Sequence, residues 1–257
     1  MQEQLISKLK EYGSVAVAFS GGLDSTTLLA AAHRVLGDGA VALLAVAPNF
    51  PQREQLEAEE FCKAQGIRLI KLPFDVFAIP EFVANGPRRC YYCKKALFTI
   101  LQTTAKKMGA VLLDGTNKDD DGDYRPGREA ALELGIKSPF HELGMGKADI
   151  RALAKELELA CWHKSSMACL ASRIPMGIKL NEELLLKIDR VETAVGALGV
   201  DQLRLRAVGE NNFVVETETV LTDSLRNRIE YLISKEFGTV RGLQFTKYRR
   251  GSMNRIE

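Results

Sequence analysis

The sequence predicts an α/β protein in which a domain built on a parallel sheet is followed by a small α+β domain. Three observations carry that prediction. Short apolar runs alternate with segments of helical periodicity up to about residue 160. After Leu180 the order changes to helix, strand, strand, helix, strand. Between the two, residues 162–178 crowd Ser, Met, Cys, Arg, Pro and Gly together without a clean period, which is the composition of a long loop. The first domain is therefore expected over 1–178 and the second over 179–257.

The elements follow in order. Val15-Ala16-Val17-Ala18-Phe19 is an apolar run that ends in a Ser/Gly turn, and residues 26–35 alternate apolar and small residues as a packed helix does. Residues 40–46 form a second buried strand, 54–65 a helix and 67–72 a third strand. A helix at 90–108, a strand at 110–114 and helices at 127–134 and 147–157 complete the domain, with helices expected on both faces of the sheet. In the second domain, a helix at 182–198, strands at 202–208 and 213–217, a helix at 222–236 and a strand at 240–248 predict helices on one face of an open, mostly antiparallel sheet. There is no internal repeat and no low-complexity segment.

Composition narrows the class of function. An apolar content of 46% and a charged content of 26% in 257 residues match a soluble globular protein. No apolar run has the length of a membrane span, and the first residues lack the basic start and apolar core of a signal peptide, so the cytoplasm is the expected compartment and no membrane partner is expected. Five cysteines leave one unpaired in any disulfide framework, and a chain of this size needs no such staples, which favours metal or redox roles. The net charge of +2 argues against a nucleic-acid surface. The basic stretch from Lys247 to Arg255 reads as a solvated chain end.

The strongest chemical signal is Ser20-Gly21-Gly22-Leu23-Asp24-Ser25-Thr26, directly after the first strand and opening the first helix. Two glycines let backbone N–H groups converge and the helix N-terminus adds partial positive charge, so the loop is suited to phosphate. Ser20, Ser25 and Thr26 offer hydroxyls, and Asp24 offers a carboxylate for Mg2+. A Walker loop would end in Gly-Lys-Ser/Thr, and no lysine follows here, which argues for capture of pyrophosphate over transfer of a terminal phosphate. The stretch resembles the signature of PP-loop ATP pyrophosphatases, which split ATP into AMP and pyrophosphate while adenylating a substrate. Asp114-Gly115-Thr116-Asn117, at the carboxyl end of a predicted strand, lies where ligands of open α/β sheets bind and resembles the nucleotide-side segment of the same enzymes.

Cys90 and Cys93 are three apart on a predicted helix and so share a face, among Arg88, Arg89, Lys94 and Lys95, which favour thiolate. Cys169 in the long loop is a third candidate ligand. Three thiolates suit an iron-sulfur cluster with one iron open, whereas structural zinc would recruit Cys161 or His163 as a fourth ligand, and a redox disulfide or simple apolar packing also accommodates a CxxC pair. Cys62, beside Phe61 on an amphipathic helix, reads as core. In the second domain Arg204 and Arg206 point to one side of a strand, where two guanidinium groups can clamp a phosphate.

Together, Ser20 to Ser25, Asp114 to Asn117 and Ala168-Cys169-Leu170-Ala171-Ser172-Arg173 resemble the LarE family of ATP-dependent sulfur transferases over essentially the whole chain. The resemblance implies adenylation of a pyridinium biscarboxylate mononucleotide and replacement of carboxylate oxygen by sulfur, for a nickel-pincer nucleotide cofactor. It also implies ATP and Mg2+ at the loop residues with Gly115, Thr116 and Asn117, and substrate at Arg173, Arg204, Arg206 and Asp223. Glu192 is a catalytic residue by the same likeness. Cys90, Cys93 and Cys169 match the three-cysteine pattern that implies a [4Fe-4S] cluster, fed by sulfide or a sulfur donor, in place of a sacrificial Cys169. An assembly of several subunits is implied as well. The rival readings are tRNA thiolation by a related PP-loop enzyme, an ammonia-using amide synthetase with structural zinc, and a nucleotide-binding regulatory module without catalysis.

Overall fold

The computed structural model describes residues 2–122, 126–164, 168–200 and 202–248. The basic stretch from Arg249 onward and Ser165, Ser166 and Met167 of the expected loop lie outside the described residues. By its internal contacts the chain groups into two units, one of Met1–Ala47, Arg53–Ile79 and Arg88–Met167, the other of Pro48–Gln52, Pro80–Pro87 and Ala168–Glu257.

The first unit opens with α1 (Gln2–Tyr12), β1 (Val15–Ala18), α2 (Leu23–Leu36), β2 (Ala40–Val46), α3 (Gln52–Gln65) and β3 (Arg68–Pro73). A one-turn helix of the second unit, α4 (Pro80–Val83), precedes α5 (Arg89–Lys107), β4 (Val111–Leu113), α6 (Pro126–Glu133), the one-turn α7 (Pro139–Glu142) and α8 (Lys147–Glu156). The four strands are all parallel, in the order β3-β2-β1-β4. Val15 and Val17 of β1 and Ala40, Ala42 and Leu44 of β2 pack in one cluster with Leu5 and Leu9 of α1, Leu28 and Leu29 of α2, and Ile150 and Leu153 of α8. The alternate residues Ala16, Val41, Leu43 and Leu112 are buried too, and α5 brings Leu97, Phe98, Leu101 and Ala105 against β1 and β4. Both faces are covered, as apolar strands without alternation require. The parallel register sets the carboxyl ends of β1 and β4 side by side, with Val17 opposite Leu113, so the loops after both strands emerge at one edge.

The second unit contains α9 (Glu182–Gly196), β5 (Arg204–Gly209), β6 (Asn212–Thr217), α10 (Asp223–Phe237) and β7 (Gly242–Lys247). Asn181 caps α9 by accepting Leu184 N at 3.0 Å, and Thr222 caps α10 by accepting Leu225 N at 3.3 Å. Leu185, Ile188, Val191 and Val195 recur at helical spacing on the buried face of α9. The sheet corrects the mostly antiparallel expectation: β5 and β6 pair antiparallel, but β6 and β7 pair parallel. The reason is topological, because a helix between two adjacent strands of one sheet returns the chain to the same end, and α10 is such a crossover.

Residues 168–178, expected at the end of the first domain, pack within the second unit. Asn85, with φ 55°, donates through Nδ2 to the carbonyls of Pro175 and Ile178 at 2.8 Å each. Gly177 N in turn donates to Asn85 O at 3.0 Å, and Leu180 N to Val83 O at 2.8 Å. Among the described residues no helix is long and apolar enough to cross a membrane.

Candidate functional site

The loop between β1 and α2 is shaped before any ligand arrives. Gly21 has φ 71°, and a Cβ there would lie 3.0 Å from Glu54 O and 3.1 Å from Ala58 Cβ, so glycine is required both by conformation and by space. Ser25 Oγ accepts Ser20 N at 3.2 Å, donates to Gly22 O at 3.2 Å and lies 3.1 Å from Ser20 Oγ. These two hydroxyls brace the loop. Gly22 caps α2 without a side-chain hydrogen bond, which leaves the first-turn amides for an anion. Thr26 is buried at the base of the loop. Burial pushes the Cys161 thiol above its usual range.

The segment after β4 closes onto this loop. A Cβ on Gly115 would meet Ser25 N at 3.0 Å and Asp24 Cβ at 3.1 Å, so only glycine lets the two loops touch. Asp114 holds the turn, with Oδ2 accepting Thr116 Oγ1 at 2.8 Å and Oδ1 accepting Ser138 Oγ at 2.6 Å. Asn117 is buried, accepts Asp119 N at 3.0 Å and donates through Nδ2 to Asp24 Oδ2 at 3.5 Å. The same Asp24 oxygen pairs with Lys147 Nζ at the start of α8. The predicted nucleotide residues Ser20, Gly21, Gly22, Asp24, Ser25, Thr26, Gly115, Thr116 and Asn117 thus belong to one edge of one sheet. The cradle of two side-chain-free glycines beside an uncapped helix start and a carboxylate fits a magnesium polyphosphate.

Two lysines of this site escaped the sequence reading, because nothing local distinguishes them. Lys147 is one. The other is Lys164, whose Nζ donates to Gly21 O at 3.1 Å, Glu54 Oε2 at 2.7 Å and Glu57 Oε2 at 2.6 Å. Burial works to lower the Lys164 pKa, but the bonds to Glu54 and Glu57 outweigh it and leave the pKa raised. Glu54 is itself pushed up by burial, partly offset by Lys164.

Cys90 and Cys93 lie in the first turn of α5, Cys90 exposed and Cys93 buried. Of the four flanking cations, Arg88 pairs with Glu129 at 3.0 Å and Lys95 with Glu133 at 2.9 Å, so part of the expected positive field is spent on local carboxylates. Cys169 belongs to the second unit, and among the described residues no group of three His, Cys, Asp or Glu side chains is gathered as a metal site. Cys62 is core, its thiol pushed up to about 12 by burial.

In the second unit Cys169 precedes a single 3-10 turn, Leu170–Arg173. Arg173 is fully buried and forms a two-pronged pair with Glu192, Nε to Oε1 at 2.9 Å and Nη2 to Oε2 at 2.7 Å. Its Nη1 donates to the carbonyl of Ala168 at 2.8 Å and of Cys169 at 3.3 Å. Glu192 Oε1 also accepts Leu205 N at 2.7 Å, so the carboxylate ties α9, β5 and the cysteine turn together. Arg206 donates through Nε and Nη2 to Glu216 Oε2 at 3.0 and 2.7 Å and through Nη1 to Ser172 O at 2.7 Å. Arg204 is buried, donates to Leu203 O at 2.8 Å and lies 5.5 Å from the Tyr248 ring, with burial and the Arg173 charge lowering its pKa. Arg173, Glu192, Arg204 and Arg206 form one buried charged assembly behind Cys169. Asp223, exposed in the first turn of α10, makes no hydrogen bond or ion pair to it among the described residues.

A four-stranded parallel sheet carrying a glycine loop and an uncapped helix start at its carboxyl edge makes this an α/β protein whose first unit is consistent with a PP-loop-like domain. No family model matches the chain. It is 37% identical over 206 residues to an uncharacterized protein of Synechocystis, covering 80% of this chain and 77% of that one. It is 35% identical over 204 residues to the pyridinium-3,5-bisthiocarboxylic acid mononucleotide synthase of Lactiplantibacillus plantarum, covering 79% and 74%. An uncharacterized protein of Methanocaldococcus jannaschii is 30% identical over 226 residues, covering 87% and 86%. The chain belongs to the pyridinium-3,5-bisthiocarboxylic acid mononucleotide synthase family.

Proposed function

We propose that the protein is an ATP-dependent sulfur transferase that adenylates a carboxylate of pyridinium-3,5-biscarboxylic acid mononucleotide and replaces its oxygen with sulfur. The observation that carries the ATP half of this reading is the cradle made by Gly21 and Gly115 around the uncapped start of α2, shaped for an anion and lacking the lysine of a Walker loop. The carrier of the sulfur half is kinship with a relative named for a bisthiocarboxylic product.

A carboxylate resists sulfur nucleophiles because the leaving group would be oxide. In the first step a carboxylate oxygen attacks the α-phosphorus of ATP, the bond to the bridging oxygen breaks, and pyrophosphate leaves with that electron pair. The first-turn amides of α2 hold the departing pyrophosphate, and Asp24 would hold Mg2+, which when bound would neutralise phosphate oxygens. In the second step hydrosulfide attacks the acyl carbon, AMP leaves, and the sulfur proton passes to water, giving a thiocarboxylate. Arg173 and Glu192 hold Cys169 in place, and Arg204, Arg206 and Asp223 are the residues proposed to meet the substrate. Cys90, Cys93 and Cys169 suit in number and donor chemistry a [4Fe-4S] cluster with one iron open, which when bound would supply replaceable sulfide and spare Cys169. A cytoplasmic homo-oligomer is part of the same reading.

The test is the mass of the mononucleotide after anaerobic incubation with ATP, Mg2+, sulfide and cluster-reconstituted protein. An oxygen-to-sulfur increase in several molecules per protein, with pyrophosphate released, is expected. Pyrophosphate without that increase sends the assignment to another acceptor, tRNA or ammonia chemistry. The Cys169 peptide should keep its cysteine mass after turnover, and dehydroalanine at this position would instead mark a sacrificial donor.

A further inference from the structure

Asn49 follows β2 in the segment Pro48–Gln52 and is fully buried, at 0% exposure. Its Nδ2 donates to Cys169 Sγ at 3.3 Å, and its backbone carbonyl accepts Leu170 N at 2.9 Å. Arg173 Nη1 holds the Ala168 and Cys169 carbonyls. The Cys169 backbone is therefore pinned by neighbours, and the sulfur is aimed by an amide. The other atom of that amide, Oδ1, is buried with no hydrogen-bond partner among the described residues. An unmet buried acceptor is destabilising, because it has given up its bond to water for nothing. A purely structural residue here would be apolar, since the bond from Leu170 N needs only a backbone carbonyl that any residue offers. Turning the amide over exchanges its two atoms and keeps the pattern of one end on sulfur and one end unmet.

We propose that Asn49 is the positioning residue of the sulfur-transfer step: its amide fixes the Cys169 sulfur, and its unmet end is held for a hydrogen-bonding group on what docks against that sulfur. This rests on the reading of Cys169 as part of the sulfur-transfer site. Loss of the amide leaves the acyl adenylate formed but poorly met by sulfur, so water takes it instead.

Two variants test this. Asn49→Ala removes the amide, and Asn49→Asp keeps its shape while exchanging the N–H donor for a carboxylate oxygen. The deciding quantity is thiocarboxylate formed per pyrophosphate released, which a partly unfolded preparation leaves unchanged because both fall together. The ratio is expected to drop at least tenfold in both variants, with pyrophosphate release within threefold of wild type. An unchanged ratio overturns the assignment. If the wild type itself releases pyrophosphate but makes no thiocarboxylate, the functional reading fails, and the second readout still decides the role of Asn49. That readout is alkylation of the ATP-free protein by iodoacetamide at one fixed pH, followed by peptide mass. Cys169 is expected to react at least threefold more slowly in Asn49→Ala, with exposed Cys90 unchanged as internal standard. An equal rate at Cys169 overturns the hydrogen bond and the proposal with it.

Discussion

Gly21 and Arg173 show how single residues set this protein's chemistry. In Gly21→Ala the added Cβ is strained by the positive φ and meets Glu54 O and Ala58, so the loop must open. The strain alone is about 1–3 kcal/mol. Pyrophosphate release is expected to fall by two orders of magnitude or more, with loss of ATP binding by calorimetry and little change in far-ultraviolet dichroism. Arg173 makes the opposite kind of contribution. Burial disfavours its charge, yet Glu192 more than compensates and raises the pKa, so the pair is a mutual dependency. Removing one member of such a pair costs roughly 3–5 kcal/mol because the other charge is stranded. Arg173→Met should therefore lower the urea midpoint clearly, and Arg173→Lys should not restore it, since an ammonium lacks the two-pronged geometry.

At the scale of elements, the one-turn α7 is the part that steadies the segment after β4 at the carboxyl edge of the first sheet. Ser138 at its start donates to Asp114, and His141 N donates to Thr116 O at 3.1 Å. Glu142 at its end accepts Ser138 N at 3.1 Å and pairs with Lys8 of α1 at 2.7 Å. Burial works to raise the Glu142 pKa, but Lys8 and the Ser138 amide leave it lowered. A depressed carboxylate contributes stability above its unfolded pKa and loses it as pH falls through the folded value. Thermal midpoints should thus fall below about pH 4.5, and the fall should be shallower in Glu142→Gln. A fall of equal steepness in both proteins would place the acid sensitivity elsewhere. The sequence made β1 to β4 plain, because short apolar runs broken by Gly and polar turns have few other readings. It hid α7, which is one turn long. It also hid α1, whose Leu5 and Leu9 are set among polar residues.

For the molecule as a whole, net charge and family point the same way. A charge of +2 offers little counterion release, so tRNA should not bind between roughly 50 and 200 mM salt, nor change pyrophosphate release. Retarded tRNA in a gel at the upper end of that range would reopen the thiolation reading. The glycine loop and the Gly-Thr-Asn segment were legible because their chemistry is compressed into a few consecutive residues. Lys147, Lys164 and Asn49 were not, because each acts on a residue about 120 or more positions away. The Arg204 and Arg206 pair was legible as a pair, but its tie to Glu216 depends on strand pairing that no local pattern reveals.

The second unit takes in Pro48–Gln52 and Pro80–Pro87 from the midst of the first. No single crossover in the gene can hand over either unit whole. A cut at residue 178 would leave Asn49 with Cys169 but would part Val83 from Leu180 and Arg173 from Glu192. An exchange at any one point of the sequence would therefore split at least one of the two units.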